Sequence, residues 1–190
     1  MRIVAGAFGG RILKTVEGPG YRPAMSRVRE ALFSMLESRG VVWSACAVLD
    51  LFAGSGSLAF EALSRGARSA MLVESSPRAV ACLRRNAAML GLDDARCRIV
   101  AEDAARTLRS RPWEAFDVVF IDPPYGKSLL SPTLKALIRN EWVTPEALVS
   151  AEVEVAAPFA AEKAHAQLEL LTERAFGQTR ILLWKKIKSA

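Results

Sequence analysis

The sequence predicts an α/β fold in which a doubly wound, mostly parallel sheet carries helices on both faces. From residue 48 onwards, short apolar runs alternate with helical segments, which is the order of parallel strands joined by crossover helices. The run at 116–121 has no charge after Asp117, as expected for a strand that is buried on both faces. With 190 residues, 51% of them hydrophobic and 24% charged, the chain is the size of one globular domain with a small extension.

Five strands of this sheet can be placed from the apolar runs. They are predicted at 48–52, 69–74, 97–101, 116–121 and 148–153, with helices between them at 57–65, 77–90, 103–109 and 131–140. Both Ser76-Pro77 and Ser131-Pro132 supply a capping hydroxyl followed by a proline at the first helical position. Two further strands, at 167–171 and 179–185, have no helix between them, so we expect an antiparallel hairpin at one edge of a seven-stranded sheet.

A small extension precedes this sheet. Residues 2–5 and 10–16 are predicted to form a short β-hairpin around Gly9-Gly10, followed by an irregular loop at 18–23 that is rich in glycine and proline. Ser26 can then cap an amphipathic helix. We therefore divide the chain into an extension, residues 1–25, and a main domain, residues 26–190.

The cysteine and histidine content excludes several classes of site. Cys46, Cys82 and Cys97 form no C-x-x-C pair, and the single histidine, His165, lies in no motif. We therefore expect no disulfide framework, no metal site and no Ser-His-Asp hydrolase. No stretch approaches 18 apolar residues and the N-terminus lacks the apolar block of a signal peptide, so the expected location is the cytoplasm, with no membrane contact.

The positive charge is concentrated at the two ends of the chain. The net charge is +6, with seven basic and three acidic residues in 1–40, and five basic and no acidic residues in 174–190. Such patches favour a polyanion, and nucleic acid is the first candidate. Basicity alone does not separate a binding surface from one that is merely solvated.

A glycine motif, Asp50-Leu-Phe-Ala-Gly-Ser-Gly56, stands where the first predicted strand meets the first helix of the sheet. Its glycines allow a tight turn and a close approach to a ligand, and ligands of such sheets bind at the carboxyl ends of the strands. Glu74, at the end of the second strand, can accept both hydroxyls of a ribose. The expected cofactor-binding residues are Asp50, Phe52, Ala53, Gly54, Ser55, Gly56, Glu74, Ser75, Asp103 and Ala104.

The glycine motif leaves two cofactors open. Gly54-x-Gly56-x-x-Ala59 with an acid twenty residues after Gly54 also satisfies the dinucleotide fingerprint. S-adenosylmethionine is favoured because Asp50 can accept from the cofactor's ammonium group and Asp103 from its adenine amino group. In the simpler interpretation, Asp50 caps a loop, Asp103 caps a helix and Glu74 is a surface residue at the end of a strand.

A second motif, Asp122-Pro-Pro-Tyr125, follows the fourth predicted strand, next to the first. The prolines fix a rigid turn, so the Asp122 carboxylate and the Pro123 carbonyl can accept the two N–H groups of a planar exocyclic amine. The ring of Tyr125 can stack on the base, a role that does not need its hydroxyl. We therefore assign Asp122, Pro123, Pro124 and Tyr125 to catalysis, although a Pro-Pro turn with a capping Asp would give the same sequence.

Together the two motifs resemble those of class I, amino-methylating S-adenosylmethionine methyltransferases. Met1-Arg-Ile-Val-Ala-Gly6, Gly10-Arg-Ile-Leu13 and the segment Arg22-Pro-Ala-Met-Ser-Arg-Val-Arg-Glu-Ala-Leu-Phe33 are similar to the RsmD family, bacterial enzymes that methylate N2 of a guanine in 16S ribosomal RNA. The similarity runs from residue 1 to about residue 186. It departs from the family at Gly9, where a basic residue is usual, and at 24–26, where the family has Thr, a small polar residue and Asp.

The resemblance implies S-adenosylmethionine as cofactor, 16S rRNA in an assembled or partly assembled 30S particle as substrate, and an RNA-binding role for residues 1–25. We expect a monomer. Candidates for phosphate contacts are Arg2, Arg11, Lys14, Arg22, Arg27 and Arg29. The alternatives are an adenine-N6 or other amino methyltransferase on DNA or another RNA, a nicotinamide-dependent oxidoreductase, and an RNA-binding assembly factor without activity.

Overall fold

The computed structural model describes residues 1–16 and 26–187, which form one seven-stranded sheet with flanking helices. The strands are β1 (Ala47–Leu51), β2 (Ser69–Glu74), β3 (Cys97–Ala101), β4 (Phe116–Ile121), β5 (Val143–Glu154), β6 (Leu168–Phe176) and β7 (Thr179–Lys186). The helices are α1 (Ser26–Glu37), α2 (Ser57–Ser64), α3 (Pro77–Leu90), α4 (Ala104–Thr107) and α5 (Leu130–Arg139), with single 3₁₀ turns at Trp43–Ala45 and Ala161–Lys163.

The strand order is β3-β2-β1-β4-β5-β7-β6. Strands β1 to β5 pair in parallel, whereas β7 runs antiparallel between β5 and β6. The predicted mostly parallel, seven-stranded sheet and its antiparallel hairpin are therefore confirmed. Because β7 is reversed, it begins at the edge of the sheet where the parallel strands end.

Each face of the sheet has its own hydrophobic core. Helices α1, α2 and α3 pack on one face, where Phe33, Phe60 and Phe120 are fully buried. Helices α4 and α5 cover the other face, where Leu134 and Trp184 are fully buried. This confirms the doubly wound arrangement. None of the helices in the described ranges is long and apolar enough to cross a membrane.

Three predicted boundaries were wrong. Strand β5 begins at Val143 rather than at residue 148, because the Thr144-Pro145 break is absorbed by a register shift against β4. Strand β6 continues to Phe176 rather than ending at residue 171, since its polar second half pairs with β7. Helix α5 begins at Leu130, so Ser131 lies inside its first turn and is not its cap.

The predicted N-terminal hairpin is present, although its pairing is short. The backbone N–H groups of Ile3 and Leu13 donate to the carbonyls of Arg11 and Met1, at 2.9 and 2.6 Å. The N–H groups of Val4 and Ala5 donate to the buried carboxylate of Glu61 on α2, at 2.8 and 3.1 Å. The segment therefore forms a short hairpin that is also fixed to the surface of α2. The loop at 18–23 lies outside the described residues.

Candidate functional site

The carboxyl ends of β1, β2 and β4 bring the two predicted motifs together. In the pairing register, Leu51 of β1 lies between Val73 of β2 and Ile121 of β4. The N–H of Asp122, just beyond β4, donates to the carbonyl of Leu51 at 3.4 Å. The glycine motif and the Asp122-Pro-Pro-Tyr125 motif are thus immediate neighbours at one edge of the sheet.

The glycine loop turns sharply through three residues with positive φ, Phe52, Gly54 and Gly56. A Cβ atom on Gly54 would meet nothing within 4 Å, so this glycine faces open space. A Cβ atom on Gly56 would lie 2.4 Å from the ring of Phe60, so this glycine is required by packing as well as by its φ of 80°. The loop therefore has one glycine for ligand approach and one for the start of α2.

Asp50 is a buried carboxylate at the end of β1, with 2% of its surface exposed. Its Oδ2 atom accepts from the N–H of Ala59 in α2 at 3.2 Å. Burial, with a further contribution from the charge of Glu74, raises the pKa of Asp50 to about 7. The buried Asp50 carboxylate lacks the water that would stabilise its negative charge. A cationic ligand group would stabilise that charge instead, so the site is well suited to such a group.

Glu74 is also buried, and both of its oxygens are oriented by backbone donors. Oε2 accepts from the N–H of Gly54 at 2.8 Å, and Oε1 accepts from the N–H of Ser76 at 2.7 Å. Each carboxylate oxygen can accept more than one hydrogen bond, so these contacts leave capacity for hydroxyl donors. Glu74 is thus tied to the glycine loop, whereas Ser75 beside it is exposed.

Asp103 caps α4, as the simpler interpretation of the sequence had it. Its Oδ1 atom accepts from the N–H groups of Ala105 and Arg106 at 2.9 and 3.2 Å. The residue is exposed, whereas Ala104 beside it is buried. The cap fixes the carboxylate just beyond the end of β3, where a ligand lying across the sheet edge would find an acceptor.

The second motif combines a half-buried carboxyl group, a rigid turn and an aromatic ring. Burial raises the pKa of Asp122 well above its ordinary value, and the charges of Glu152 and Asp50 raise it further. Pro123 is buried and Pro124 is exposed. The hydroxyl of Tyr125 lies 2.9 Å from Oγ1 of Thr179, which is a contact that the prediction of a purely stacking role for its ring did not include.

Two residues of this site were missed by sequence reasoning. Glu152, near the end of β5, is close enough to Asp122 to raise its pKa, and it accepts a hydrogen bond from the side chain of Thr179. The signal for Glu152 was a charge near the carboxyl end of the fifth predicted strand, 148–153. Thr179 gave no local signal, since its contact with Tyr125 depends on the register of β7.

The predicted phosphate contacts lie in different environments. Arg2, Arg11, Lys14 and Arg27 are exposed, and Arg22 lies outside the described residues. Arg29 is buried, so its assignment to phosphate was wrong. Its Nη2 donates to the carbonyl of Arg2 at 2.6 Å, and its Nε lies 3.8 Å from Oε2 of Glu61. Burial lowers the pKa of Arg29, although the charge of Glu61 opposes this shift.

Several buried polar side chains attach the N-terminal segment to the main domain, among them Glu61 and Asn86. Glu61 accepts from the segment at Val4 and Ala5, as described above, and also pairs with Nε of Arg65 at 2.9 Å. Asn86 on α3 accepts from the N–H of Lys14 at 2.9 Å and donates to the carbonyls of Lys14 and Ser55. Through Asn86, the N-terminal segment is fixed directly to the glycine loop.

A second concave surface lies away from the carboxyl ends of the parallel strands. A groove of about 550 Å³ between Arg39, Thr144 and Lys185 lies at the amino ends of the parallel strands. In the described ranges, no group of three or more His, Cys, Asp or Glu side chains has the arrangement of a metal site.

Comparison with protein families gives a match over nearly the whole chain. The model for the family described as conserved hypothetical protein 95 matches residues 1–185. The chain is 39% identical over 155 residues to ribosomal RNA small subunit methyltransferase D of Escherichia coli, covering 82% of this chain and 75% of that protein. It is 36% identical over 155 residues to the protein of the same name in Haemophilus influenzae, covering 81% and 79%.

Solved structures show the same fold. A candidate methyltransferase from Escherichia coli, yhhF, superposes with a TM-score of 0.84 at 35% identity, over 100% of this chain and 99% of that one. A hypothetical protein from Thermus thermophilus superposes with a TM-score of 0.76 at 28% identity, over 100% and 99%.

Proposed function

Because the chain belongs to the RsmD family, whose model is described as conserved hypothetical protein 95, we propose that it methylates the N2 amine of a guanine in 16S ribosomal RNA. Methylation of ribosomal RNA is the activity in the names of its relatives, and such an enzyme requires a methyl donor. The donor that we propose is S-adenosylmethionine.

The observation that carries the proposal is the adjacency of Asp50 and Asp122. Asp50 pairs with Phe120 in the register of β1 and β4, and Asp122 follows Phe120 by two residues. Residues two apart along an extended chain point to the same face, so the two acids lie on one face of neighbouring strands. We assign the carboxyl group of Asp50 to the ligand of the glycine loop and that of Asp122 to the amine beside it. A methyl donor and an amine acceptor have to be neighbours in this way.

The residues present fit S-adenosylmethionine. The donor groups of that cofactor are an ammonium, two ribose hydroxyls and an adenine amine, and the chain offers acceptors at Asp50, Glu74 and Asp103. Gly54 leaves open space above the loop for a ligand. When bound, the cofactor supplies an electrophilic methyl group on a positively charged sulfur, whose charge suits an edge lined with carboxyl groups.

The chain's own residues orient the acceptor base. We assign the Asp122 carboxylate and the Pro123 carbonyl to the two N–H groups of the guanine amine, and the ring of Tyr125 to stacking. Acceptors on both hydrogens leave the nitrogen lone pair directed at the methyl group, and as the new N–C bond forms, one of these hydrogens leaves as a proton to the Asp122 carboxylate. Catalysis then rests on positioning and electrostatics. A base in folded RNA has to be unstacked to reach this edge.

We propose that the protein acts as a monomer in the cytoplasm on assembled or partly assembled 30S particles. The exposed basic residues Arg2, Arg11, Lys14 and Arg27 are assigned to RNA phosphates. The division into an RNA-binding extension, residues 1–25, and a methyltransferase domain, residues 26–190, is part of this proposal. It is supported by the side chain of Asn86, which is hydrogen-bonded both to Lys14 and to Ser55 of the glycine loop.

The test is transfer of tritiated methyl groups to small-subunit particles from cells that lack this enzyme. Particles, naked 16S rRNA and DNA are offered in parallel, and the modified base is mapped. We expect a single N2-methylguanine in 16S rRNA. Transfer to DNA, or to an adenine, would replace the proposal by the rival amino methyltransferase. Tight binding of NAD without methyl transfer would favour the oxidoreductase.

A further inference from the structure

A short chain of hydrogen bonds runs from the aromatic ring of the second motif to a carboxyl group on β5. The hydroxyl of Tyr125 lies 2.9 Å from Oγ1 of Thr179, and the side chain of Thr179 is hydrogen-bonded to Glu152. The hydrogen bond with Thr179 lowers the pKa of Glu152, against the effect of burial, and a bond that favours the ionised carboxylate is one in which the Thr179 hydroxyl donates. Oγ1 of Thr179 is then left to accept from the hydroxyl of Tyr125.

The sheet topology makes this chain possible. Thr179 is the first residue of β7 and pairs with Glu154, whereas Glu152 pairs with Ile181 two residues further along the same strand. Residues two apart on a strand point to the same face, so Thr179 and Glu152 lie diagonally across the pair β5 and β7. Since β7 is antiparallel, its first residue reaches the edge where Tyr125 lies.

We infer that Thr179 and Glu152 are positioning residues, which hold the ring of Tyr125 in the orientation that stacks on the target base. This inference rests on the proposed function and deepens it. The turn after Asp122-Pro-Pro fixes the backbone of Tyr125, and the Thr179–Glu152 pair fixes the other end of its side chain. A ring that is held at both ends is pre-organised, so binding the base does not have to restrict it further.

The inference gives the hydroxyl of Tyr125 a role that stacking alone does not require. It also gives Glu152 two effects on the site. Its carboxylate terminates the hydrogen-bond chain, and its charge acts on Asp122. Glutamine keeps an acceptor for Thr179 but removes the charge, so Glu152→Gln separates the two effects, whereas Glu152→Ala removes both.

The first experiment observes the ring without using catalysis. The chain has two tyrosines, so Tyr21→Phe leaves Tyr125 as the single signal in protein labelled with ¹³C at the tyrosine Cζ. We expect Thr179→Val to move the Tyr125 resonance and Thr179→Ser to leave it nearly unchanged. The control is Thr172→Val on β6, whose side chain contacts Arg39 away from this site. An unmoved resonance in Thr179→Val would overturn the inference.

The second experiment measures methyl transfer to 30S particles. We expect Thr179→Val and Glu152→Ala each to lower kcat/KM roughly fivefold to tenfold, with unchanged S-adenosylmethionine affinity, and Thr179→Ser to restore activity to within about twofold of the wild type. The variant with both changes should be no slower than the slower single variant, because both break the same chain. Losses that multiply in the double variant would overturn the linkage.

These outcomes separate the inference from the proposed function. If the wild type transfers no methyl group to guanine, the proposed function fails, while the Tyr125 resonance still tests the hydrogen-bond chain. If the wild type is active and Thr179→Val is as fast as Thr172→Val, the positioning role is wrong and the proposed function stands.

Discussion

The Oε2 atom of Glu74 accepts a hydrogen bond from the N–H of Gly54 at 2.8 Å, so the end of β2 and the glycine loop after β1 are held as one unit. This contact orients the carboxylate toward the space above Gly54, where a Cβ atom would meet nothing within 4 Å. A single side chain thus shapes the loop and offers an acceptor to whatever the loop binds.

Replacing this side chain should weaken cofactor binding more than it weakens the fold. We expect Glu74→Ala to reduce S-adenosylmethionine affinity by roughly 10²-fold, because a hydrogen-bonded charged group is lost together with its hold on Gly54, at about 1.5 to 3 kcal/mol per such bond. Titration calorimetry measures this affinity. Glu169→Ala, which removes an exposed carboxylate on β6, is the matched control and should bind as the wild type does. Equal affinities for both variants would remove Glu74 from the cofactor site.

Both motifs of the site could be predicted because their signals are local. Gly54 and Gly56 are needed by the turn itself, and the prolines after Asp122 mark a rigid loop. The parallel topology then brought the two loops together, because adjacent parallel strands end at the same edge.

The remaining site residues depend on contacts between distant parts of the chain. Thr179 meets Tyr125 across 54 residues, and only the register of β7 places it there. Arg29 was assigned to the surface because basic residues are usually exposed, yet Glu61 on α2 makes its burial tolerable. The same carboxylate takes the N–H groups of Val4 and Ala5, a contact between the N-terminal segment and α2 that no local pattern indicates.

The raised pKa of Asp50 predicts a pH dependence of cofactor binding. A cofactor ammonium favours the ionised form, so the carboxyl group, with a pKa of about 7 in the free protein, should release a proton on binding. Affinity should therefore fall as the pH falls below about 7 and level off above about 8. The charge of Glu74 acts on the pKa of Asp50 in the same direction as burial and raises it.

Calorimetry in buffers of different ionisation enthalpy measures this proton release. Asp50→Asn has no proton to release, so we expect it to bind weakly and with a much flatter pH profile. A wild-type affinity that is constant from pH 5.5 to 8, with no dependence on buffer, would contradict the assignment of Asp50 to the ammonium group.

Asp122 should separate chemistry from cofactor binding. It is assigned to the amine, whereas Glu74 and Asp103 are assigned to the adenosine. We therefore expect Asp122→Ala to slow methyl transfer by roughly 10²-fold or more and to leave S-adenosylmethionine affinity nearly intact. Single-turnover transfer to 30S particles and calorimetry measure the two quantities. A large loss of cofactor affinity with an unchanged rate at saturating cofactor would show that Asp122 binds the cofactor and not the amine.

The attachment of the N-terminal segment should be visible in stability. Glu61→Ala leaves the buried guanidinium of Arg29 without a carboxylate and removes the acceptor of Val4 and Ala5, so we expect a loss of about 3 to 5 kcal/mol. Urea unfolding measures the free energy of unfolding of the variant and of the wild type. The combined replacement Arg29→Met with Glu61→Leu should recover part of this loss, because no uncompensated charge remains buried. A Glu61→Ala variant as stable as Glu169→Ala would contradict this account of the segment.

The salt dependence of RNA binding should distinguish the exposed basic residues from the buried one. A true phosphate contact contributes roughly 0.7 to 0.9 to the slope of log affinity against log salt. We expect Arg11→Ala and Arg27→Ala each to reduce the slope for 30S particles by about that amount. Arg111→Ala, which removes an exposed charge paired with Glu141, is the matched control and should leave the slope unchanged.

Arg29→Met should lower stability without changing the slope, since its guanidinium already donates to the carbonyl of Arg2. Slopes that change in neither Arg11→Ala nor Arg27→Ala would move the RNA-binding surface away from the N-terminal segment and the start of α1. The half-buried lysines at the end of β7, Lys185 and Lys186, would then be the next positions to replace.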